Sequence, residues 1–173
     1  MGNFNFKTTE EFEAARAAYI KAHPDYSEPK PIECLNLVMK QFWAKKIIKG
    51  EKPLEFRNYS NFYISRLIDK KVAMFISDHM DEEGTLYFCN DIRPVKKIHF
   101  YDYGKTWYLD IECKSVDTFV LVREDVERLQ KDFGVHDFDA DLEYVEQAGI
   151  PEEERPMFFY LECGKVLITN LKI

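Results

Sequence analysis

The chain has 173 residues, with 24 Lys and Arg against 31 Asp and Glu, and therefore a formal net charge of −7. Apolar residues make up 46% of it, which is enough for a domain of this size to bury a substantial core. The sequence lacks an apolar run of about 18 residues, and its N-terminal stretch lacks the basic and apolar regions of a secretory signal. Composition therefore predicts a globular cytoplasmic protein without a membrane span.

The first predicted element is an amphipathic helix over residues 8–22. Thr8 and Glu11 have the spacing of a capping box, apolar residues recur at helical intervals, and Pro24 ends the pattern. We expect this helix to form an N-terminal extension, residues 1–31, that packs on a main domain formed by residues 32–173.

The main domain is predicted to contain mostly short strands. The predicted strands are 34–39, 53–58, 72–77, 85–89, 95–101 and 106–114, followed by a closing hairpin of 158–162 and 166–170. Helices are predicted over 40–49, 124–133 and 139–149. This pattern favours an α+β fold with a curved antiparallel sheet or small antiparallel β-barrel and surrounding helices.

Charge is unevenly distributed along the chain. Lys40–Lys71 contains nine basic and three acidic residues, whereas Arg123–Pro156 contains four basic and twelve acidic residues. A basic patch on an acidic body can hold a local anion, but the acidic whole repels a long duplex. We therefore expect a nucleotide, a nucleoside or a short RNA as partner, and neither long duplex DNA nor a membrane. Solvated helix faces are the alternative explanation of both charge runs.

The stretch that indicates a function is GEKPLEFR, residues 50–57, which follows the predicted helix 40–49. Gly50 is typical of a helix C-cap, and strand alternation puts Glu55 and Arg57 on one face, with Lys52 at the mouth of the strand. Arg and Lys can bind phosphate or carbonyl groups, and Glu accepts hydrogen bonds from ring or amide N–H groups. An internal salt bridge among the same side chains is the open alternative.

The segment KQFWAKKIIKGEKPLEFRNY resembles the signature of the ASCH family, a branch of the PUA-like superfamily. That signature is a helix with a Trp-Ala step followed by GxKxxExR, and the chain has these residues in register: Trp43, Ala44, Gly50, Lys52, Glu55 and Arg57. The stretches 106–119 and 156–168 also resemble later strands of the family. The resemblance implies a small barrel with a cleft beside the motif, where family members are proposed to bind RNA or nucleotide-like ligands.

A binding module of this kind needs charged groups for the polar edges of a base and an aromatic face for stacking. The expected ligand contacts are Lys52, Glu55, Arg57, Tyr59, Tyr63 and Arg66. For Trp43 we favour core packing, because it lies on the apolar stripe of its helix.

Two alternatives stay open. An enzymatic ASCH branch hydrolyses acylated cytidine nucleosides with the motif Lys and a Thr at the place of Glu55; an amidohydrolase of that type would use Lys52 as base or nucleophile and Glu55 to move protons. The other alternative is a protein-interaction domain with a vestigial cleft, whose acidic residues 123–156 face a basic partner.

The cysteines and histidines do not predict a metal or a cofactor. Cys34, Cys89, Cys113 and Cys163 form no CxxC pair, so we expect four reduced thiols rather than a zinc ribbon or a redox motif. The four histidines show no ligand spacing, and the acidic turn around His79 is interpreted as a solvated turn rather than a weak cation site.

Overall fold

The computed structural model describes residues 5–173, so the first four residues of the predicted extension lie outside the described residues. The chain divides into two compact units. The first unit comprises the described residues up to Lys30 together with Ile64–Arg93, and the second comprises Pro31–Tyr63 with Pro94–Ile173. The division into an extension of 1–31 and an ASCH-like domain of 32–173 stays a prediction. None of the helices in the described part is long and apolar enough to cross a membrane.

The elements follow one another in mixed order, which confirms the α+β class. In chain order they are α1 (Thr9–Ala22), β1 (Ile32–Val38), α2 (Gln41–Ile48), β2 (Leu54–Asn58), α3 (Asn61–Leu67), α4 (Lys70–Asp78), α5 (Thr85–Phe88), β3 (Val95–Tyr101), β4 (Tyr108–Val120), α6 (Arg123–Phe133), α7 (Asp139–Gln147), a short 3-10 helix (Glu152–Glu154) and β5 (Met157–Thr169).

The second unit is built on a five-stranded sheet with the order β1-β3-β4-β5-β2. The pair β1–β3 is parallel and the other three pairs are antiparallel. The sheet is therefore mixed rather than antiparallel, and its edge strands β1 and β2 leave it open. A closed barrel is not confirmed.

Several predicted elements are confirmed because their signals are local. Thr8 caps α1, its hydroxyl accepting a hydrogen bond from the backbone N–H of Glu11 at 3.1 Å. The predicted helices 40–49, 124–133 and 139–149 correspond to α2, α6 and α7, and the predicted strands 34–39, 53–58 and 95–101 correspond to β1, β2 and β3.

The strands predicted over 72–77 and 85–89 are wrong, because these stretches form the helices α4 and α5. Asp69 caps α4, its carboxylate accepting from the backbone N–H groups two and three residues later at 3.1 and 3.4 Å. Val72 and Phe75, three positions apart on α4, face the core of the first unit. A short apolar run fits either element, and here the cap and the buried face select the helix.

The closing hairpin is also wrong. Residues 157–169 form the single strand β5, which pairs with β4 along most of its length. Register shifts interrupt this pairing near Cys113 and Cys163, where the sequence suggested a turn. The predicted strand 106–114 corresponds to β4, which continues to Val120.

Each unit has its own hydrophobic core. In the first unit one cluster of buried residues consists of Tyr19, Tyr26, Val72, Phe75 and Phe88. In the second, one cluster packs α6 against the sheet through Leu54, Phe119, Leu129, Val135 and Tyr160, and another packs α6 against α7 through Leu121, Val126, Leu142 and Val145. The sheet and α6 together fix the position of β2, which carries the motif.

Candidate functional site

The three ionic side chains of the motif meet within the second unit. Glu55 is only 7% exposed, although it carries a carboxylate. Its Oε1 lies 2.7 Å from Arg57 Nη2, and its Oε2 lies 3.4 Å from Lys52 Nζ. Strand alternation puts Glu55 and Arg57 on one face of β2, and Lys52 reaches the same carboxylate from the residues before the strand. The motif therefore forms a chain of two ion pairs that share one buried acid.

Arg57 uses much of its guanidinium inside the protein. Its Nη2 donates to the backbone carbonyl of Val38 at 2.9 Å, and its Nη1 donates to the Tyr63 hydroxyl at 3.1 Å. Because Val38 ends β1 and Arg57 lies on β2, this side chain links the two edge strands of the open sheet. Its Nε is buried and has no hydrogen-bond partner among the described residues.

A cleft with a volume of about 140 Å³ lies beside the start of β2. We call it the motif cleft; its walls are Trp43 and Lys46 from α2, residues 51–54 and 56, and Gly134, Val135 and Asp137 after α6. Lys52 lines the cleft, whereas Glu55 and Arg57 are not among its lining residues. The structure thus brings the three ionic groups together, and of the three Lys52 alone lines the motif cleft.

Trp43 is a wall of the motif cleft and not a core residue. It is 42% exposed, and the buried side chains of α2 are Ala44 and Ile47. The expectation of core packing for Trp43 is therefore wrong. It failed because a stripe of adjacent aromatic residues on a short helix turns only part of its members inward.

Lys52 connects the motif cleft with the ion pairs. Its Nζ lies 5.3 Å from the centroid of the Trp43 ring and 5.5 Å from that of the Phe56 ring, at the same time as it faces Glu55. These distances are within the range of cation–π attraction. The ammonium is thus held between two aromatic rings and one carboxylate, at the wall of a cleft.

The aromatic and basic residues expected at the rim have different surroundings. The Tyr59 ring lies 4.8 Å from the Phe159 ring, and the Tyr63 hydroxyl accepts the hydrogen bond from Arg57. Arg66 belongs to the first unit, where its backbone carbonyl accepts from Arg93 Nη1 at 3.2 Å. Tyr63 thus contacts the motif through Arg57.

The Cys163 thiol, which feels the charges of Glu55 and Lys52, favours its protonated form. Burial raises the pKa of the Cys163 thiol to about 12, and the Glu55 carboxylate acts in the same direction. All four cysteines of the chain are free. A thiolate nucleophile at Cys163 is therefore not part of the chemistry of this site.

A second polar cluster lies on β3 and β4, and the sequence interpretation missed it. Asp110, which is buried, pairs with His99 Nδ1, and its Oδ2 accepts from Lys97 Nζ at 3.1 Å. His99 and Asp110 are direct partners in the β3–β4 register. Only the register could have revealed the pair, because period-2 alternation shows which residues share a face but not which ones are opposite.

A group of potential metal ligands lies in the first unit. Within residues 5–173, the side chains of His23, His79 and Glu82 form a group of three potential ligands, and all three belong to the first unit.

Comparison of the chain with protein-family models, with curated proteins and with solved structures found no match. The resemblance to the ASCH family therefore stays a prediction that rests on the motif residues.

Proposed function

We propose that the second unit is an ASCH-like module that binds an unpaired base, of a nucleotide or of a short RNA, in the motif cleft. The size of the cleft supports one planar ring as its occupant. Its volume of about 140 Å³ is close to that of a cavity of about 150 Å³ that holds benzene, and below the roughly 300–1,000 Å³ of pockets that enclose a whole small molecule. The sugar and phosphate of the ligand would then lie outside the cleft.

The observation that carries the proposal is an exposed tryptophan next to a fixed ammonium group. Trp43 offers a ring for stacking, which is worth roughly 1–3 kcal/mol per base. Lys52 Nζ, 5.3 Å from that ring, can donate to a base carbonyl or to a phosphate oxygen. Core tryptophans are not exposed in this way: the other one, Trp107, is buried.

The remaining polar groups fit a base better than an apolar ligand. Glu51 and Asp137 supply carboxylates at the walls of the cleft, and carboxylates accept hydrogen bonds from the amino groups of bases. Lys46, 3.6 Å from Glu51, adds a cation. In this proposal Glu55 positions Lys52, and Arg57 positions Glu55.

Binding can be measured with a fluorescently labelled eight-nucleotide RNA, by anisotropy, and with the four nucleoside monophosphates as competitors. We expect Trp43→Ala and Lys52→Met each to weaken RNA binding by at least tenfold, since each removes one of the two groups assigned to the ligand. The matched controls are Phe42→Ala, an exposed aromatic on α2 outside the cleft walls, and Lys49→Met, an exposed lysine after α2.

Equal losses in Trp43→Ala and Phe42→Ala, or an absence of RNA and nucleotide binding by the unmodified chain, would contradict the proposal. The amidohydrolase alternative predicts release of acid from N-acylated cytidine that stops in Lys52→Met. The protein-interaction alternative predicts neither binding nor turnover. One set of variants therefore separates all three functions.

A further inference from the structure

Two helices of the first unit end in the same arrangement. His23 follows α1 and His79 follows α4, each at the C-cap. Each ring stacks on the aromatic ring four residues earlier, with 4.0 Å between the centroids of His23 and Tyr19 and also between those of His79 and Phe75. Each Nδ1 lies at hydrogen-bond distance from the backbone carbonyl of that same residue, at 2.7 and 2.8 Å.

These contacts determine which nitrogen of each ring must carry a proton. A carbonyl oxygen only accepts, so Nδ1 must carry a proton and donate to it. In the neutral imidazole, Nε2 then holds the lone pair, and the carbonyl bond orients the ring. His23 Nε2 pairs with the Glu82 carboxylate, which only accepts, so a metal ion bound there takes the place of a proton. Histidines that bind metals are usually held in this way, with the other ring N–H donated to a carbonyl or carboxylate.

A ring nitrogen of each histidine lies close to the same carboxylate, that of Glu82. One ring nitrogen of His23, one of His79 and a carboxylate oxygen of Glu82 all lie within 4.8 Å of one another, and His23 Nε2 is the nitrogen paired with Glu82. The two imidazole rings are 5.5 Å apart and nearly perpendicular. Asp25 Oδ2 lies 3.8 Å from His79 Nε2. Two imidazoles and the Glu82 carboxylate thus lie around one position, with Asp25 beside His79.

We infer that this cluster is a binding site for a divalent transition-metal ion, Zn²⁺ in the first place, with His23, His79 and Glu82 as ligands. Two imidazoles and one carboxylate are a known ligand set for zinc, at about 2.0–2.2 Å from the ion. Asp25 or water completes four-coordination. Calcium and magnesium prefer sites built from oxygen alone.

Binding needs a small rearrangement, which the exposed Glu82 side chain allows. Tetrahedral ligands at these bond lengths lie about 3.3 Å apart. Glu82 Oε1, now 2.5 Å from His23 Nε2, must move away from that nitrogen. The Glu82 side chain is 46% exposed and follows α4 in the turn before Gly84, so its movement disturbs no core residue.

Electrostatics also favours a cation at this position. The C-terminal ends of α1 and α4 both face the cluster, and a helix C-terminus carries a partial negative charge. The two carboxylates add negative charge. The ion would join the end of α1 to the end of α4 and so connect elements that share the core formed around Tyr19 and Phe75.

The test is zinc titration of the metal-free full chain by calorimetry, with the melting temperature as a second measurement. We expect one ion per chain and a higher melting temperature in the presence of zinc, because the ion binds the folded form. His23→Gln and His79→Gln should each weaken zinc binding at least a hundredfold and remove the shift. Glu82→Gln, at an exposed position, should weaken it at least tenfold without loss of folding.

His136→Gln is the matched control. His136 also pairs with an acid, Asp139, at 3.0 Å, but this pair is exposed and lies outside the cluster. The control should bind zinc as the unmodified chain does. The inference is overturned if zinc binding is absent, or if His23→Gln, His79→Gln and Glu82→Gln all bind zinc unchanged, which would assign the ion to other groups such as the cysteines.

Discussion

At the scale of single residues, the ionic side chains of the motif differ in whether they also line the motif cleft. Glu55 and Arg57 form an ion pair, and Arg57 also donates a hydrogen bond to the backbone carbonyl of Val38. Removing one partner of a buried ion pair leaves the other charge uncompensated, at a cost of about 3–5 kcal/mol. Lys52 differs, because it also lines the motif cleft. The internal salt bridge and the proposed ligand site are therefore not exclusive, because Lys52 pairs with Glu55 and also lines the motif cleft.

Asp110 leads to a prediction about acid stability. Burial alone would raise the pKa of its carboxyl, but the hydrogen bonds and charges of His99 and Lys97 lower it overall. A lowered pKa means that the carboxylate stabilises the fold fully above the unfolded value of about 3.9, and that this contribution is lost as the pH falls through the folded value.

We therefore expect Asp110→Asn to be less stable than the unmodified chain at neutral pH, and the difference to shrink below about pH 4. The measurement is the urea midpoint of unfolding between pH 2.5 and 7. Asp132→Asn, at an exposed position on α6, is the control, and its curve should run parallel to that of the unmodified chain. A constant difference between Asp110→Asn and the unmodified chain across the whole range would contradict the assignment.

At the scale of elements, β5 shows how a glycine can be misread. Cys163-Gly164-Lys165 suggests a turn, yet the strand continues through it with shifts of register against β4. A Cβ on Gly164 would lie 3.0 Å from the backbone carbonyl oxygen of Glu112. The glycine is thus required by the close approach of two backbones at an irregularity in the ladder, and not by a reversal of the chain.

Gly164→Ala should consequently destabilise the second unit. Overpacking of this kind typically costs about 1–3 kcal/mol, because the neighbouring backbone must shift. Gly104→Ala is the matched control, since its Cβ would meet only side-chain atoms at 3.4 Å or more. We expect a clearly lower urea midpoint for Gly164→Ala alone. Equal midpoints for the two variants would show that β5 tolerates a side chain there.

At the scale of the whole molecule, the net charge of −7 conceals a local contrast within the second unit. The basic α2 region lines the motif cleft, whereas α6, α7 and the turn Glu152–Glu154 carry most of the acidic run 123–156. Long-range repulsion from the acidic residues acts on any extended polyanion, whereas the proposed short ligand would extend little beyond the motif cleft.

This contrast predicts selectivity by length. At about 0.15 M salt, where charges are screened beyond roughly 8 Å, we expect the eight-nucleotide RNA to bind at least tenfold more tightly than a 30-base-pair DNA duplex. Competition of unlabelled duplex against the labelled RNA measures the ratio. Equal or tighter binding of the duplex would show that the basic residues act as a general phosphate surface instead.

The sequence by itself determined what depends on neighbours a few positions away. Caps and helical periodicity defined α1, α2 and α6, alternation defined β2 and put Glu55 and Arg57 on one face, and the mixture of elements defined the α+β class. The residues that form the ion-pair chain were thus predictable, because strand geometry is local.

Only the tertiary structure decided which surface each element buries and which distant residues meet. It made helices of 72–77 and 85–89, left the sheet open, turned Trp43 towards the cleft, and brought His23 to Glu82, 59 residues further along the chain. Propensity and periodicity extend over one or two turns of chain, whereas burial and ligand geometry are set by contacts between segments whose separation in sequence carries no local signal.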